Sequence, residues 1–141
     1  PGSGDPKNFN LNDCSTQRNL SLDGKKQAKY IGEFFKKNKI KIDKVLSSEW
    51  CRCKETAKIA FKNFSTNSFL NSFYSSKFAK NKDNQLKKLN DFIKEIEGNK
   101  NLIFVTHYVL ISEVLNYGPS SGEIVVSDKN LNMIGSIEIN Y

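Results

Sequence analysis

The sequence predicts an α/β domain with a largely parallel sheet, and three observations carry this prediction. Amphipathic helical stretches alternate with short apolar runs that are typical of buried strands. Two of these runs pass directly into a new helical stretch, as parallel strands with crossover helices do. Near the end, strand-like residues 123–127 and 133–140 flank a polar turn, which predicts a β-hairpin at an antiparallel edge.

A loop rich in Gly, Pro, Asn, Asp and Ser is expected over residues 1–19, before the first helix. Ser21 is a good N-cap for that helix, because its hydroxyl can accept from a free amide of the first turn. Ala28 and Ile31 share one face at helical spacing, and the helix is expected to end near Asn38.

A short strand is expected over residues 42–46. The second helix follows from about Trp50, with Ala57 and Ala60 on its inner face. The apolar residues within 68–73 predict another short strand.

The third helix is the clearest, because Leu86, Leu89 and Ile93 share a face opposite lysines and glutamates. Gly98 is its expected C-terminal stop. Four apolar residues then follow at 102–105, and they predict a strand that is buried on both faces.

The only histidine, His107, lies where the apolar run ends and an apolar helical segment, residues 109–115, begins. Such a junction places a side chain at the carboxyl edge of the sheet, where open α/β sheets bind ligands. An imidazole beside the free amides of a helix suits an anionic substrate. The alternative role is a histidine that caps the helix or bonds a carbonyl, and position alone does not decide between the two.

A second junction of the same kind holds Arg52. The strand ends, Ser47 and Ser48 make the turn, and Arg52 falls in the first turn of the helix that follows. A guanidinium can bind two phosphate oxygens at once, and the helix dipole favours anions there. The alternative is an arginine that pairs with Glu49 or Glu55 on the helix surface.

Arg18, in the loop before the first helix, adds a third positive group, unless it is a solvated loop arginine. Arg18, Arg52 and His107 together predict a pocket for a phosphate monoester.

The chain has 141 residues and a formal charge of +7, which predicts one globular domain over residues 1–141. No apolar run approaches the ~20 residues that a membrane-spanning helix needs. Most lysines occur in runs on polar helix faces, so nucleic-acid binding is not favoured. A nucleic-acid-binding domain would instead show an affinity that falls steeply with salt and does not depend on Arg52.

The three cysteines, Cys14, Cys51 and Cys53, match no metal-binding pattern, and no metal site is expected. A disulfide from Cys14 to Cys51 or to Cys53 would fit an exported protein. Three reduced cysteines would fit the cytoplasm equally well.

Three segments resemble the motifs of the histidine phosphatase superfamily, in its small phosphatase branch. Residues 18–28 (RNLSLDGKKQA) resemble its R-x-L-[ST]-x-x-G-x-x-Q-A stretch, and residues 46–57 (LSSEWCRCKETA) resemble its L-S-S-x-x-x-R-x-x-[EQ]-T-A motif. Residues 105–107 (VTH) resemble its second histidine motif. The motifs occur in the family's order and spacing, and the resemblance runs from about residue 4 to residue 126.

This resemblance implies a three-layer α/β/α fold and a phosphomonoesterase that acts through a phosphohistidine intermediate. By analogy, Arg52 binds phosphoryl oxygens, His107 donates a hydrogen bond to one of them, and Arg18 lies at the pocket rim. The implied ligand is a small phosphorylated substrate or inorganic phosphate, with no cofactor. Hydrolysis is favoured over mutase activity, because the chain lacks the long insertions that mutases use.

The family's first motif is missing. Histidine phosphatases open with a central strand ending in Arg-His-Gly, whose histidine is the nucleophile, and residues 1–6 resemble the loop that follows it. Since the chain begins with Pro rather than Met, we expect a processed, truncated or fragmentary form. By the resemblance, the missing strand would lie between the strands at Val45 and Phe104.

A second hypothesis is therefore a non-catalytic phospholigand-binding domain or an inactive fragment. No general acid is assigned. Tyr108 follows His107 where some branches have an acidic residue, and Asp5 is a conceivable loop donor with structural capping as its alternative role. The resemblance slightly favours an exported, periplasmic protein over a cytoplasmic one, and the oligomeric state is not predicted.

Overall fold

The computed structural model describes residues 3–141, so Pro1 and Gly2, expected in the N-terminal loop, lie outside the described residues. In chain order the helices and strands are α1 (Leu22–Lys37), β1 (Lys44–Ser47), α2 (Cys51–Phe61), β2 (Ser65–Thr66), α3 (Ser76–Ala79), α4 (Lys82–Glu95), β3 (Leu102–Val105), α5 (Tyr108–Leu115), β4 (Ile124–Ser127) and β5 (Met133–Ile137). Two 3-10 turns add to these, at Cys14–Thr16 and Ser68–Leu70. No helix in this part of the chain is both long and apolar enough to cross a membrane.

The sheet is parallel and has the strand order β2–β1–β3. A separate antiparallel hairpin is formed by β4 and β5. The predicted α/β class, with a parallel sheet and a C-terminal hairpin, is therefore confirmed. The expectation that the hairpin forms an edge of the same sheet is wrong for the described residues, because β4 pairs only with β5.

Strands β1 and β3 are direct neighbours over their whole length, from the pair Lys44 and Leu102 to the pair Ser47 and Val105. Within residues 3–141, therefore, no space for a further strand lies between them. All four residues of β3 are half-buried instead of fully buried. The physical reason is that β3 is hydrogen-bonded along one edge only within residues 3–141.

Helices cover both faces of the sheet. Helix α2 packs on α1 and contacts β1 and β3, while α4 packs on the 3-10 turn Ser68–Leu70 and shares a core with Leu46 of β1. Side chains alternate between the two faces of a strand. The main core lies on the α4 side and consists of Leu46, Phe69, Leu70, Phe73, Leu89, Ile93 and Leu110.

Two local expectations fail. Residues 68–73 contain a 3-10 turn instead of a strand, because Phe69 and Leu70 both enter the core and an alternating strand would separate them. Helix α4 ends at Glu95 with Ile96 as its C-cap, so Gly98 is not the helix stop.

A Gly32→Ala substitution is expected to destabilise the protein by about 2–3 kcal/mol. Gly32 is buried where α1 crosses α2, and a Cβ there would lie 2.3 Å from the carbonyl oxygen of Ala60. Because that oxygen belongs to the helix backbone, it cannot move without shifting α2. Chemical denaturation measures the loss. Gly98→Ala is the matched control, since nothing lies within 4 Å of its Cβ position, and equal midpoints for the two variants would contradict the packing.

Candidate phosphate-binding site

Two strand-to-helix junctions lie side by side at the carboxyl edge of the sheet. One joins β1 to α2 and the other joins β3 to α5. The backbone N–H of Ser48 donates to the carbonyl of Val105 at 2.9 Å, which fixes the first junction against the second. Side chains from both junctions therefore meet at one place.

His107 and Arg52 meet there. Nη2 of Arg52 lies 3.2 Å from Nδ1 of His107. A guanidinium can only donate hydrogen bonds, so Nδ1 is the acceptor and carries no proton. The ring proton is then on Nε2, which donates to Oγ of Ser48 at 2.8 Å.

The imidazole is neutral in this arrangement. His107 is 6% exposed, and the edge of its ring packs against Trp50. Burial, followed by the positive charge of Arg52, lowers the pKa of His107 to about 3. Although His107 occupies the N-cap position of α5, its side chain does not cap that helix.

Arg52 has one donor without a partner. Its Nη1 is buried, and among the described residues it makes no hydrogen bond. Neither alternative carboxylate pairs with it, because Glu55 forms an ion pair with Lys25 and Glu49 binds the amide of Asn71. A permanently charged group with a buried, unsatisfied N–H is suited to an anion.

Arg18 is exposed, and its Nε donates to the carbonyl of Gly4 at 2.8 Å. Within residues 3–141, no hydrogen bond or ion pair joins it to Arg52 or His107. Its loop is nevertheless anchored at the site, since Oε1 of the preceding Gln17 accepts from the backbone N–H of Cys51 at 2.9 Å. The structure thus brings two of the three predicted site residues into contact and places the third in an adjoining loop.

Neither possible proton donor reaches the arginine–histidine pair. Oδ1 of Asp5 accepts from the indole N–H of Trp50 at 3.2 Å, which is a structural contact. The Tyr108 side chain is 61% exposed, and no described hydrogen bond links it to His107.

A disulfide joins Cys14 to Cys51 and ties the Arg18 loop to the start of α2. Cys53 is free and buried, and burial raises the pKa of its thiol to about 12, so the thiol stays protonated. Its Sγ lies 3.7 Å from Nε2 of His107. Among the described residues, no group of three or more His, Cys, Asp or Glu could hold a metal ion.

Ser48 and Asn71 are site residues that sequence reasoning missed. In the sequence, Ser48 is a small turn residue after a strand and part of the L-S-S motif, with no role assigned to it. Asn71 reaches the site through the fold, from the loop after the 3-10 turn Ser68–Leu70, and nothing in its sequence neighbourhood indicates this.

The model of the histidine phosphatase superfamily (branch 1) matches residues 12–70, which include Arg18 and Arg52 but not His107. A search of curated proteins finds no match. Among solved structures, the fold is similar to that of the protein histidine phosphatase SixA complexed with tungstate. That match has a TM-score of 0.53 and 17% sequence identity, and it covers 88% of this chain and 82% of SixA.

The family match supports phosphatase activity in general terms, and the match to SixA supports the fold. Residues 12–70 are thus similar to the histidine phosphatase superfamily (branch 1), and the chain shares the fold of a protein histidine phosphatase.

Proposed function

We propose that Arg52 and His107 bind the phosphoryl group of a phosphomonoester, and that this chain supplies the phosphate-binding part of a phosphohydrolase. One observation carries the proposal: the buried Nη1 of Arg52 has no hydrogen-bond partner, although its neighbour Nη2 is bonded to His107. A phosphoryl oxygen would satisfy this donor and neutralise the charge.

The surrounding backbone supports the same ligand. Helices α2 and α5 both begin at the carboxyl edge of the sheet, and the side chains of their N-cap residues, Trp50 and His107, form no cap hydrogen bond. Gln17 occupies the first amide of α2, but the positive ends of the two helix dipoles still favour an anion beside Arg52. Fixed donors aimed at the equatorial oxygens are the main protein contribution to phosphoryl transfer.

His107 would change its hydrogen bonding when the anion enters. A dianion next to the imidazole favours its protonated form, in which Nδ1 also becomes a donor. Nδ1 could then donate to a phosphoryl oxygen while Nε2 stays bonded to Ser48. Arg18 would contribute at the rim, from the loop that Gln17 and the Cys14–Cys51 disulfide hold near α2.

A phosphohistidine mechanism needs a second histidine, supplied from outside the 141 residues given. Its ring nitrogen would attack phosphorus and form a P–N bond, while the P–O bond to the substrate breaks and the leaving oxygen takes a proton from solvent to depart as the alcohol. Water would then attack the phosphohistidine, releasing inorganic phosphate and the free histidine. In both steps Arg52 and His107 stabilise the charge on the phosphoryl oxygens.

A second candidate function is phospholigand binding without catalysis. It is favoured by the fact that both ring nitrogens of His107 are engaged in hydrogen bonds. The coding sequence upstream of Pro1 discriminates between the two candidates. An in-frame strand ending in Arg-His favours the enzyme, whereas a genuine start at this point favours the binding domain.

Phosphate binding tests what the two candidates share. Because His107 is the only histidine, titration with inorganic phosphate can be followed on its ring signals by NMR. We expect saturable shifts, which would be absent for a neutral ligand of similar size. A protein extended upstream would then be assayed with a simple phosphomonoester and, because of the name of SixA, with phosphohistidine. Ring signals that do not respond to phosphate would contradict the proposed function.

A further inference from the structure

The side-chain amide of Asn71 has a single possible orientation. Its Oδ1 accepts from the backbone N–H of Glu49 at 2.9 Å and from the hydroxyl of Ser48 at 3.2 Å. Its Nδ2 donates to Oε1 of Glu49 at 2.9 Å. Turning the amide over would set its NH₂ against the backbone N–H and its oxygen against the carboxylate, so the amide is fixed as described.

This orientation determines what the Ser48 hydroxyl can do. Its hydrogen is committed to Asn71, because Oδ1 of the amide can only accept. The oxygen is left to accept from the backbone N–H of Trp50 at 3.1 Å and from Nε2 of His107 at 2.8 Å. Ser48 is 0% exposed, so solvent does not reach these hydrogen bonds from outside.

The opposite side of the imidazole requires the same proton position. Arg52 can only donate to Nδ1, so both neighbours place the ring proton on Nε2. The one other polar atom close to Nε2 is Sγ of Cys53, at 3.7 Å, and a thiol sulfur is a weak acceptor. Ser48 is therefore the group that accepts the Nε2 proton.

We propose that Ser48, held by Asn71, is a positioning residue that keeps the proton of His107 on Nε2 and leaves Nδ1 to face Arg52 and the ligand. The position of the ring proton follows from the hydrogen bonds alone, whereas the consequence for the ligand rests on the proposed function. Because Ser48 accepts from Nε2–H in both the neutral and the protonated ring, His107 can gain a proton at Nδ1 without turning.

The test is the ¹⁵N spectrum of His107 in the wild type and in Ser48→Ala. The wild type should give a protonated-type shift at Nε2 and an unprotonated-type shift at Nδ1. In Ser48→Ala only Arg52 still favours the Nε2 proton, so the population of that tautomer should fall and the two shifts should move towards each other. The affinity for inorganic phosphate should fall about 3- to 10-fold, the usual effect of one buried hydrogen bond.

Ser47→Ala is the matched control. Ser47 is also 0% exposed, and its hydroxyl donates to the carbonyl of Ser48 at 2.8 Å without touching His107. It should lose stability but leave both the spectrum and the phosphate affinity unchanged. Should Ser48→Ala fail to fold, Asn71→Ala replaces it, since this frees the Ser48 hydrogen to point at Nε2.

A proton still confined to Nε2 in the folded variant overturns the proposal, as does an unchanged phosphate affinity. A wild type that does not bind phosphate overturns the proposed function instead, and the tautomer of His107 can still be read from the same spectrum.

Discussion

An Arg52→Ala substitution is expected to lower kcat/KM about 10²- to 10³-fold in an extended, catalytically active form of the protein. Among residues 3–141, the Nη1 of this guanidinium is a buried cationic donor at the site that lacks a partner. By the proposed function, removing it would take away hydrogen bonds to the transferring phosphoryl group and the positive charge beside it, a loss of about 3–4 kcal/mol in transition-state binding. Steady-state kinetics with a simple phosphomonoester measures this loss.

Two further variants separate charge from geometry. Arg52→Lys keeps the charge but cannot offer two parallel donors, so we expect it to recover only part of the activity. Lys58→Ala removes an equal charge from an exposed position of the same helix and should leave the kinetics unchanged. In the 141-residue chain, the same ranking should appear in the affinity for inorganic phosphate. Unchanged kinetics for Arg52→Ala would show that the phosphoryl group binds elsewhere.

The helices could be predicted from the sequence because their signals are local. Helix α1 begins directly after Ser21, whose Oγ accepts from the backbone N–H of Gly24 at 3.1 Å, and Ala28 and Ile31 on its apolar face are buried. The strands at Val45 and Phe104 could be predicted for the same reason, because each is a short apolar run.

Strand pairing could not be predicted in the same way, because it depends on contacts between distant residues. The apolar run of β3 indicates a strand, but nothing in it shows that its neighbour is β1 or that one edge stays without a partner. The hairpin was found from its polar turn, whereas its separation from the sheet depends on tertiary packing.

In the candidate site too, some residues have a local sequence signal and others are revealed only by the fold. Arg52 and His107 stand out because each lies at the junction between a strand and the helix that follows it, and the structure brings them to hydrogen-bonding distance. Their roles towards a ligand stay predictions. Asn71 belongs to a segment expected to be a strand, and its contact with Ser48 spans 23 residues of sequence, so only the fold could reveal it.

The titration of His107 is expected by itself to lower the free energy of unfolding as the pH falls below the ordinary pKa of histidine. Its pKa is about 3 in the folded state, against 6.5 for a free side chain. Between these values the unfolded chain binds a proton that the folded chain does not, so unfolding is favoured as the pH falls. The stability is complete above pH 6.5, and up to about 5 kcal/mol is lost by pH 3.

The free energy of unfolding, measured by urea denaturation at a series of pH values, tests this expectation. Between pH 6 and 4.5 the wild type should lose about 2 kcal/mol from this one group. His107→Gln has no imidazole to titrate, so its free energy of unfolding should fall by about 2 kcal/mol less than that of the wild type over the same pH range. Hydrogen-bonded carboxylates such as Asp43 have a lowered pKa, and they titrate alike in both proteins, so the difference between the two curves isolates the imidazole.

Sulfate connects this pH dependence to the site. It stays a dianion throughout this range, and next to Arg52 it would favour the protonated form of His107. Binding should then raise the pKa of His107, so proton and anion bind together and the affinity for sulfate rises as the pH falls. Sulfate should therefore flatten the wild-type stability curve below pH 6 and leave the His107→Gln curve parallel to its sulfate-free counterpart. An equal effect of sulfate on the slopes of both proteins would mean that the anion binds away from His107.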